Sequence, residues 1–215
     1  VSLTIDVPEI SIQWYRDVTG FAQHAPLWLR DLAGWGTDAG LVLFAGLFVL
    51  VWWRSRRGEA RGVVLALIAP PVTVAAYLLS ETAKMFFHEQ RPCRAIVGVT
   101  TIARCPALGD WSFPSNHATI VAASATSLVI AWRRIAAVVA PLAVLMAASR
   151  VFVGVHYPHD VAVGFLLGTA VAAALTAGLA PVLTPLVERL RPHPAAEVGA
   201  DQDPDHRPAC SADQV

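Results

Sequence analysis

The sequence predicts an all-α integral membrane helix bundle, and three observations carry that reading. Hydrophobic residues make up 55% of the 215-residue chain and charged residues only 15%, against roughly 45–50% and about 25% in soluble domains. Five apolar segments follow one another with almost no charge inside them. The outer helix faces of a soluble bundle would carry charged stripes, and these segments carry none. The formal net charge is zero, which gives no global basis for binding nucleic acid.

Taken in order, residues 1–37 scatter Asp6, Glu9, Arg16, Asp17, Arg30 and Asp31 among Trp14, Tyr15, Phe21, Trp28, Leu32 and Trp35. That mixture predicts one or two helices lying at the membrane interface. A sixth crossing in this region is the weaker alternative. The basic start and apolar run of a cleavable signal are missing from it. The apolar segments are about Ala39–Trp53, Gly62–Leu79, Ala118–Trp132, Ile135–Ala148 and Val161–Leu183. A crossing takes about 20 mostly apolar residues. The second and fifth segments meet that directly, and the others do so with their flanks. The expected organisation is an interfacial segment at 1–37, a transmembrane bundle at 38–187 and a disordered cytoplasmic tail at 188–215, the last from its Pro- and Asp-rich composition.

Arginine placement sets the expected orientation. Four arginines fall within the eight residues Arg54–Arg61, Arg133 and Arg134 join the third and fourth segments, and Arg189 and Arg191 follow the fifth. If every segment crosses, these sites share one side, which the positive-inside rule makes cytoplasmic. Trp52, Trp53 and Trp132 mark interfacial ends. The N-terminus and the connections at 84–117 and around His156 then face outward. Cys93 and Cys105 bracket a polar stretch of that outer side, either as a disulfide or as two free thiols, and Cys210 lies in the tail.

Three polar clusters gather on the outer side. Ionisable groups at membrane helix ends are costly and commonly functional. In the first cluster, Lys84 and Arg91 are seven residues apart. A helix continuing from the second segment would align them over two turns, to be ended by Pro92. Two aligned cations suit a phosphate, or alternatively snorkel to head groups. In the second, Phe113-Pro-Ser-Asn-His-Ala118 leads into an apolar helix whose start is an anion site. Ser115 would cap it or bind the anion, and His117 in the first turn is placed to protonate a leaving oxygen. In the third, Pro158 opens the fifth helix, with His156 just before it and Asp160 in its first turn. Asp160 would either orient the His156 imidazole for attack or simply complement the helix dipole.

Lys84-x6-Arg91-Pro92, Pro114-Ser115-Asn116-His117 and Ser149-Arg150-x5-His156-x3-Asp160 together resemble the tripartite signature of the type 2 phosphatidic acid phosphatase superfamily. Their setting resembles the bacterial undecaprenyl-diphosphate phosphatase branch. Asn116 stands where that superfamily most often has Gly, which bears on the substrate more than on the reaction. The resemblance implies a lipid phosphatase in which His156 attacks phosphorus, Asp160 holds its ring and His117 is the acid and later the base. It also implies that Lys84, Arg91, Ser115, Asn116 and Arg150 bind the phosphoryl group. It implies no metal or cofactor, and the spacings of His88, Glu89 and His159 fit no standard ligand pattern. The expected partner is a lipid phosphate or diphosphate in the bilayer, with no nucleic acid. Phosphatidylglycerophosphate and phosphatidate are alternative substrates. A vanadate-dependent haloperoxidase and a non-catalytic head-group binder are the readings from other classes.

Overall fold

The computed structural model describes residues 6–191, so the greater part of the expected tail, from residue 192 on, lies outside the described residues. Its elements are helices: α1 (Glu9–His24), α2 (Leu27–Ser55), α3 (Ala60–Lys84), the single-turn α4 (Pro92–Ala95), α5 (Asn116–Ala131), α6 (Ala136–Phe152) and α7 (Pro158–Leu190), with a 3-10 turn at Arg133–Ile135 before α6. All five apolar segments are helical. Four helices are long and apolar enough to cross a membrane: α2, α3, α6 with its preceding turn, and α7.

The fifth, α5, has 16 residues. At 1.5 Å per residue that is about 24 Å, short of a ~30 Å hydrocarbon core. It still joins the two ends of the bundle, from Ser115 beside Asp160 to Trp132 beneath Arg54. It is the central helix of the bundle, packed against α2, α3, α6 and α7, and its Ala118, Ala122 and Ala123 are fully enclosed. Apolar collapse gives little drive between helices in lipid, so close packing of small residues takes its place. A Cβ on Gly164 of α7 would lie 2.5 Å from the Ser115 carbonyl oxygen, and one on Gly168 would lie 2.2 Å from that of Thr119. Only glycine lets α7 approach the α5 backbone this closely. Gly40 of α2 admits the side chain of Met146 in α6 in the same way. Outward faces carry exposed Val42, Leu78, Val138, Leu166 and Val182, an inversion of the soluble pattern that suits a lipid surround.

One boundary differs from expectation. The first apolar segment was expected at about Ala39, yet α2 begins at Leu27 after Pro26, so residue 37 falls inside a continuous helix. Apolarity reports what surrounds a residue. Leu27–Gly36 differs from the rest of α2 in its charges and not in its ability to hold helical dihedrals. Residues 1–37 therefore contribute one separate helix, α1, whose inward stripe Ser11, Tyr15, Thr19 and Ala22 is buried while Trp14 and Phe21 stay exposed. α1 packs on α6 and α7.

The arginine-rich connections meet at one end of the bundle. Arg54 lies over the Trp132 ring at 4.9 Å, and Arg191 donates to the backbone carbonyls of Gly58 at 2.5 Å and Arg56 at 3.1 Å. The three polar clusters gather at the other end. There Cys93 and Cys105 are disulfide-bonded with Cα atoms 6.0 Å apart. The loop they close is pinned where the Ile102 and Ala103 N–H groups donate to the Val153 carbonyl at 3.1 and 3.2 Å.

Candidate active site

The second and third clusters are joined through backbone. The Ser115 N–H donates to the Asp160 carbonyl at 3.1 Å, beside the Gly164 contact, so the starts of α5 and α7 sit side by side. Ser115 occupies the N-cap position but makes no side-chain cap bond. Its Oγ is buried without a partner. A buried hydroxyl left free at a helix start, with the N–H groups of the first turn around it, is equipped to bind an anion. His117 lies in that first turn, and its Nε2 is 3.4 Å from Oδ1 of Asp38 on α2.

His156 is at the last bend before α7. Gly154, at φ +87°, makes the turn, and a Cβ there would meet Thr101 Cγ2 at 2.7 Å. The imidazole is almost fully enclosed. Its Nδ1 faces Oδ2 of Asp160 at 3.3 Å, and its Nε2 faces Nη1 of Arg91 at 3.0 Å. Oδ2 of Asp160 also accepts the Ser112 hydroxyl at 2.5 Å and the Tyr157 N–H at 2.8 Å. Burial pushes the His156 imidazole down to about 3, against the upward pull of Asp160, and Arg91 and Arg150 add to the downward push. The ring is therefore neutral at pH 7. With its proton at Nδ1, on the carboxylate, the lone pair on Nε2 is turned toward the cations, the tautomer a nucleophilic histidine needs.

The cations do not share a helix. α3 ends at Lys84, and Arg91 is extended at φ −64°, ψ 142°, which overturns the expectation of a helix continuing to Pro92. A residue before proline is steered out of the helical region, and unwinding from residue 85 lets Glu89 turn inward and become buried. Lys84 and Arg91 meet instead through Asp110, whose Oδ1 is 3.2 Å from Lys84 Nζ and 2.8 Å from Arg91 Nη2. Burial pushes the Asp110 carboxyl up, but the hydrogen bond and charge of Arg91, with Lys84 behind them, outweigh it and hold the group below the usual carboxylate range. Arg91 also donates to the Asp110 and Val155 carbonyls at 2.9 and 3.1 Å. Arg150 is buried with its Nε unpartnered, and the charges of Arg91, Asp38 and Asp110 act on it. The residues expected to bind phosphate thus reach this end, with one qualification. The Asn116 side chain is tied to α3, its amide donating to Glu81 and its carbonyl accepting from Ser80 Oγ at 2.8 Å, so what it offers a substrate is its backbone N–H.

Among the described residues one group has the composition of a metal site: Glu89, His159 and Asp160, with ligand atoms within 4.8 Å of one another. His159 Nε2 is 3.0 Å from Glu89 Oε2 and 3.2 Å from Asp160 Oδ1. The first is a hydrogen bond; the second is a close approach without an aligned donor, and an imidazole between two carboxylates accounts for both distances.

The PAP2 superfamily model matches residues 63–183, a span that holds His117, His156, Asp160, Lys84, Arg91 and Arg150. The chain belongs to the PAP2 superfamily. An undecaprenyl-diphosphatase of Sulfolobus acidocaldarius is 37% identical over 99 residues, 45% of this chain and 46% of that protein. A decaprenylphosphoryl-5-phosphoribose phosphatase of Mycobacterium tuberculosis is 34% identical over 109 residues, 50% of this chain and 57% of that protein. The chain therefore aligns with about half the length of these two relatives. An undecaprenyl-diphosphatase of Bacillus subtilis is 25% identical over 174 residues, covering 81% of this chain and 86% of that protein. In three dimensions the PAP2 chain resembles LpxE of Aquifex aeolicus, with a TM-score of 0.61 at 22% identity over 80% of this chain and 98% of the other. It also resembles a transmembrane PAP2-type phosphatidylglycerolphosphate phosphatase of Bacillus subtilis, with a TM-score of 0.59 at 21% identity over 82% and 89%. The fold is that of a multi-pass membrane protein.

Several members of this PAP2 site carry no signal in a pattern of spacings. Ser112 and Asp110 come from a loop, Asp38 from α2, and Ser11 and Tyr15 from α1. The Tyr15 hydroxyl donates to the Gly154 carbonyl at 2.9 Å and braces the turn that carries His156. The one available hint for Asp38 was a charge at the edge of an apolar run, which membrane helices seldom carry without use.

Proposed function

We propose that this PAP2 chain is a lipid phosphatase. It hydrolyses a polyprenyl diphosphate of the undecaprenyl type to the monophosphate on the extracytoplasmic face, through a phosphohistidine on His156. The observation that carries the reading is the setting of His156, a buried neutral imidazole with Nδ1 on Asp160 and Nε2 turned toward Arg91.

In the first step Nε2 attacks the terminal phosphorus. The bond from phosphorus to the bridging oxygen breaks, and His117 gives that oxygen its proton as the prenyl monophosphate leaves. In the second step His117 takes a proton from water, whose oxygen attacks the phosphohistidine and releases inorganic phosphate. Arg91, Arg150 and Lys84, with the Ser115 hydroxyl and the first N–H groups of α5, take the negative charge of the transferring group. Asp160 stabilises the imidazolium character that develops on His156. All of these functions come from side chains and backbone, so turnover is expected to survive EDTA.

The relatives from Sulfolobus, Mycobacterium and Bacillus are all named for prenyl-linked phosphates, which favours a prenyl chain over a glycerolipid. An apolar groove of about 810 Å³ between α1, α2 and α6, lined by Val18, Leu32, Leu142 and Met146, runs to Thr37 and Ser149, next to Arg150. A long chain lying there would stay in the bilayer while its head group meets the cations. Such a substrate belongs to the recycling of a lipid carrier in cell-envelope synthesis.

The test is phosphate release by the purified chain in detergent with EDTA, offered undecaprenyl diphosphate, phosphatidylglycerophosphate and phosphatidate beside His156→Ala. The prenyl diphosphate should be turned over fastest, and the variant should lose essentially all activity. Preference for a glycerolipid would replace the substrate assignment, and activity indifferent to the substitution would remove the mechanism. For the orientation, a reporter active only in the cytoplasm should be active when fused after Leu190, and silence there would reverse the assigned faces.

A further inference from the structure

The contacts of Asp160 are divided unequally between its two oxygens. Oδ2 is met by three donors, Ser112, Tyr157 and His156. Oδ1 is buried with no aligned donor, and His159 Nε2 lies 3.2 Å from it. The same nitrogen is 3.0 Å from Oε2 of Glu89, a carboxylate just 2% exposed whose Oε1 also lacks a partner. Two buried carboxylates thus face one ring nitrogen, an arrangement that is costly unless a positive charge sits between them.

The ring is set up to carry that charge. Its Nδ1 is 2.8 Å from Ser11 Oγ of α1, a hydroxyl able to accept a second N–H. The aromatic faces of Phe113 and Tyr157 stack on it at centroid distances of 5.8 and 5.6 Å, and such faces favour a cation. The ionisable groups facing it are Glu89 from the stretch after α3, Asp160 from its own helix and the neighbouring phenol of Tyr157; Ser11 and Phe113 are uncharged. Glu89 reaches Asp160 by a second route as well. Its backbone carbonyl accepts the Ser112 N–H at 2.8 Å, and the Ser112 hydroxyl is one of the donors to Asp160.

We infer that His159 and Glu89 are positioning residues: a half-buried imidazolium, held by Glu89 and Ser11, balances the free oxygen of Asp160 and fixes the carboxylate that orients His156. Their mechanistic part rests on the proposed phosphohistidine reading, whereas the protonation state of His159 does not. Among the described residues neither side chain hydrogen-bonds to Lys84, Arg91, Ser115, Asn116 or Arg150, so removal of the pair should act on the chemical step and leave substrate binding alone.

Two measurements on the full-length chain in detergent separate these parts. In nitrogen-15 histidine spectra at pH 7, the resonance missing from His159→Ala should be an imidazolium with both nitrogens protonated. It should turn neutral in Glu89→Gln. A neutral His159 in the wild type would overturn the inference whether or not the chain is an enzyme. In the turnover assay, His159→Ala and Glu89→Gln should each lower kcat by roughly 10- to 100-fold, the usual cost of losing a group that orients an active-site residue, with KM within about twofold. Added imidazole should restore part of the activity of His159→Ala, and His88→Gln, whose ring stacks on Trp111 outside the cluster, should resemble the wild type. Unchanged kcat, or a loss confined to KM, would refute the positioning role. Activity that EDTA removes and zinc restores in the wild type but not in His159→Ala would show that a metal, and not a proton, joins the two carboxylates. A wild type that turns over no lipid phosphate, while His159 is an imidazolium, would count against the enzymatic reading and leave the charge arrangement standing.

Discussion

At the scale of single residues, burial keeps the His156 imidazole neutral, as the proposed attack requires, and also ties the stability of the fold to pH. A free histidine binds a proton near 6.5, whereas His156 in the folded chain does so only near 3. Between those values the unfolded chain binds a proton that the folded chain refuses. The stability this gives at neutral pH is therefore lost as pH falls from about 6.5 toward 3. Wild type should lose more thermal stability between pH 7 and pH 4 than His156→Asn, in which no ring titrates. Parallel losses would contradict the buried neutral state. The residues of the signature were legible because their chemistry repeats a known order and spacing. Ser112, Asp110 and Asp38 were not, since a lone polar residue in a loop or at a helix edge has no periodicity, and its role exists only once the chain has brought it to Asp160, Arg91 or His117.

At the scale of elements, the site depends on how closely α7 lies against α5. The glycines at 164 and 168 allow the Ser115 N–H to reach the Asp160 carbonyl and so align the two helix starts. Gly168→Ala, with its Cβ 2.2 Å from a backbone oxygen, should destabilise the bundle by about 1–3 kcal/mol through overpacking and lower activity with it. Gly178→Ala meets nothing within 4 Å and should be neutral or stabilising by up to about 1 kcal/mol, the usual helix preference for alanine. Equal melting temperatures for the two variants in detergent would contradict the packing account. The helices themselves were readable from apolar runs, but their ends were not. α2 extends from Leu27, well before its apolar part, and α3 stops at Lys84 although the cation spacing suggested more helix. Apolarity marks surroundings, and helix ends follow from local backbone restrictions such as those before Pro92.

At the scale of the whole molecule, the arginine sites predicted to share a side do meet, through Arg54 on Trp132 and Arg191 on Gly58. The polar clusters, more than 70 residues apart at their extremes, meet at the opposite end, where Arg91 touches His156. Counting crossings was enough to foresee that convergence. The bracing of the site from α1 was not foreseeable, because Ser11 and Tyr15 bind a ring nitrogen and a carbonyl over 130 residues away. On the proposed reading, separate helix ends deliver a nucleophile, an acid and cations to one point for a covalent intermediate. The most direct measurement is therefore rapid-quench labelling with prenyl diphosphate carrying radioactive phosphorus in its terminal phosphate. A phosphohistidine would give transient label on the protein that survives base, is lost in acid and is absent from His156→Ala. Label that persists in that variant, or turnover by the wild type with no labelled protein at any time, would contradict it.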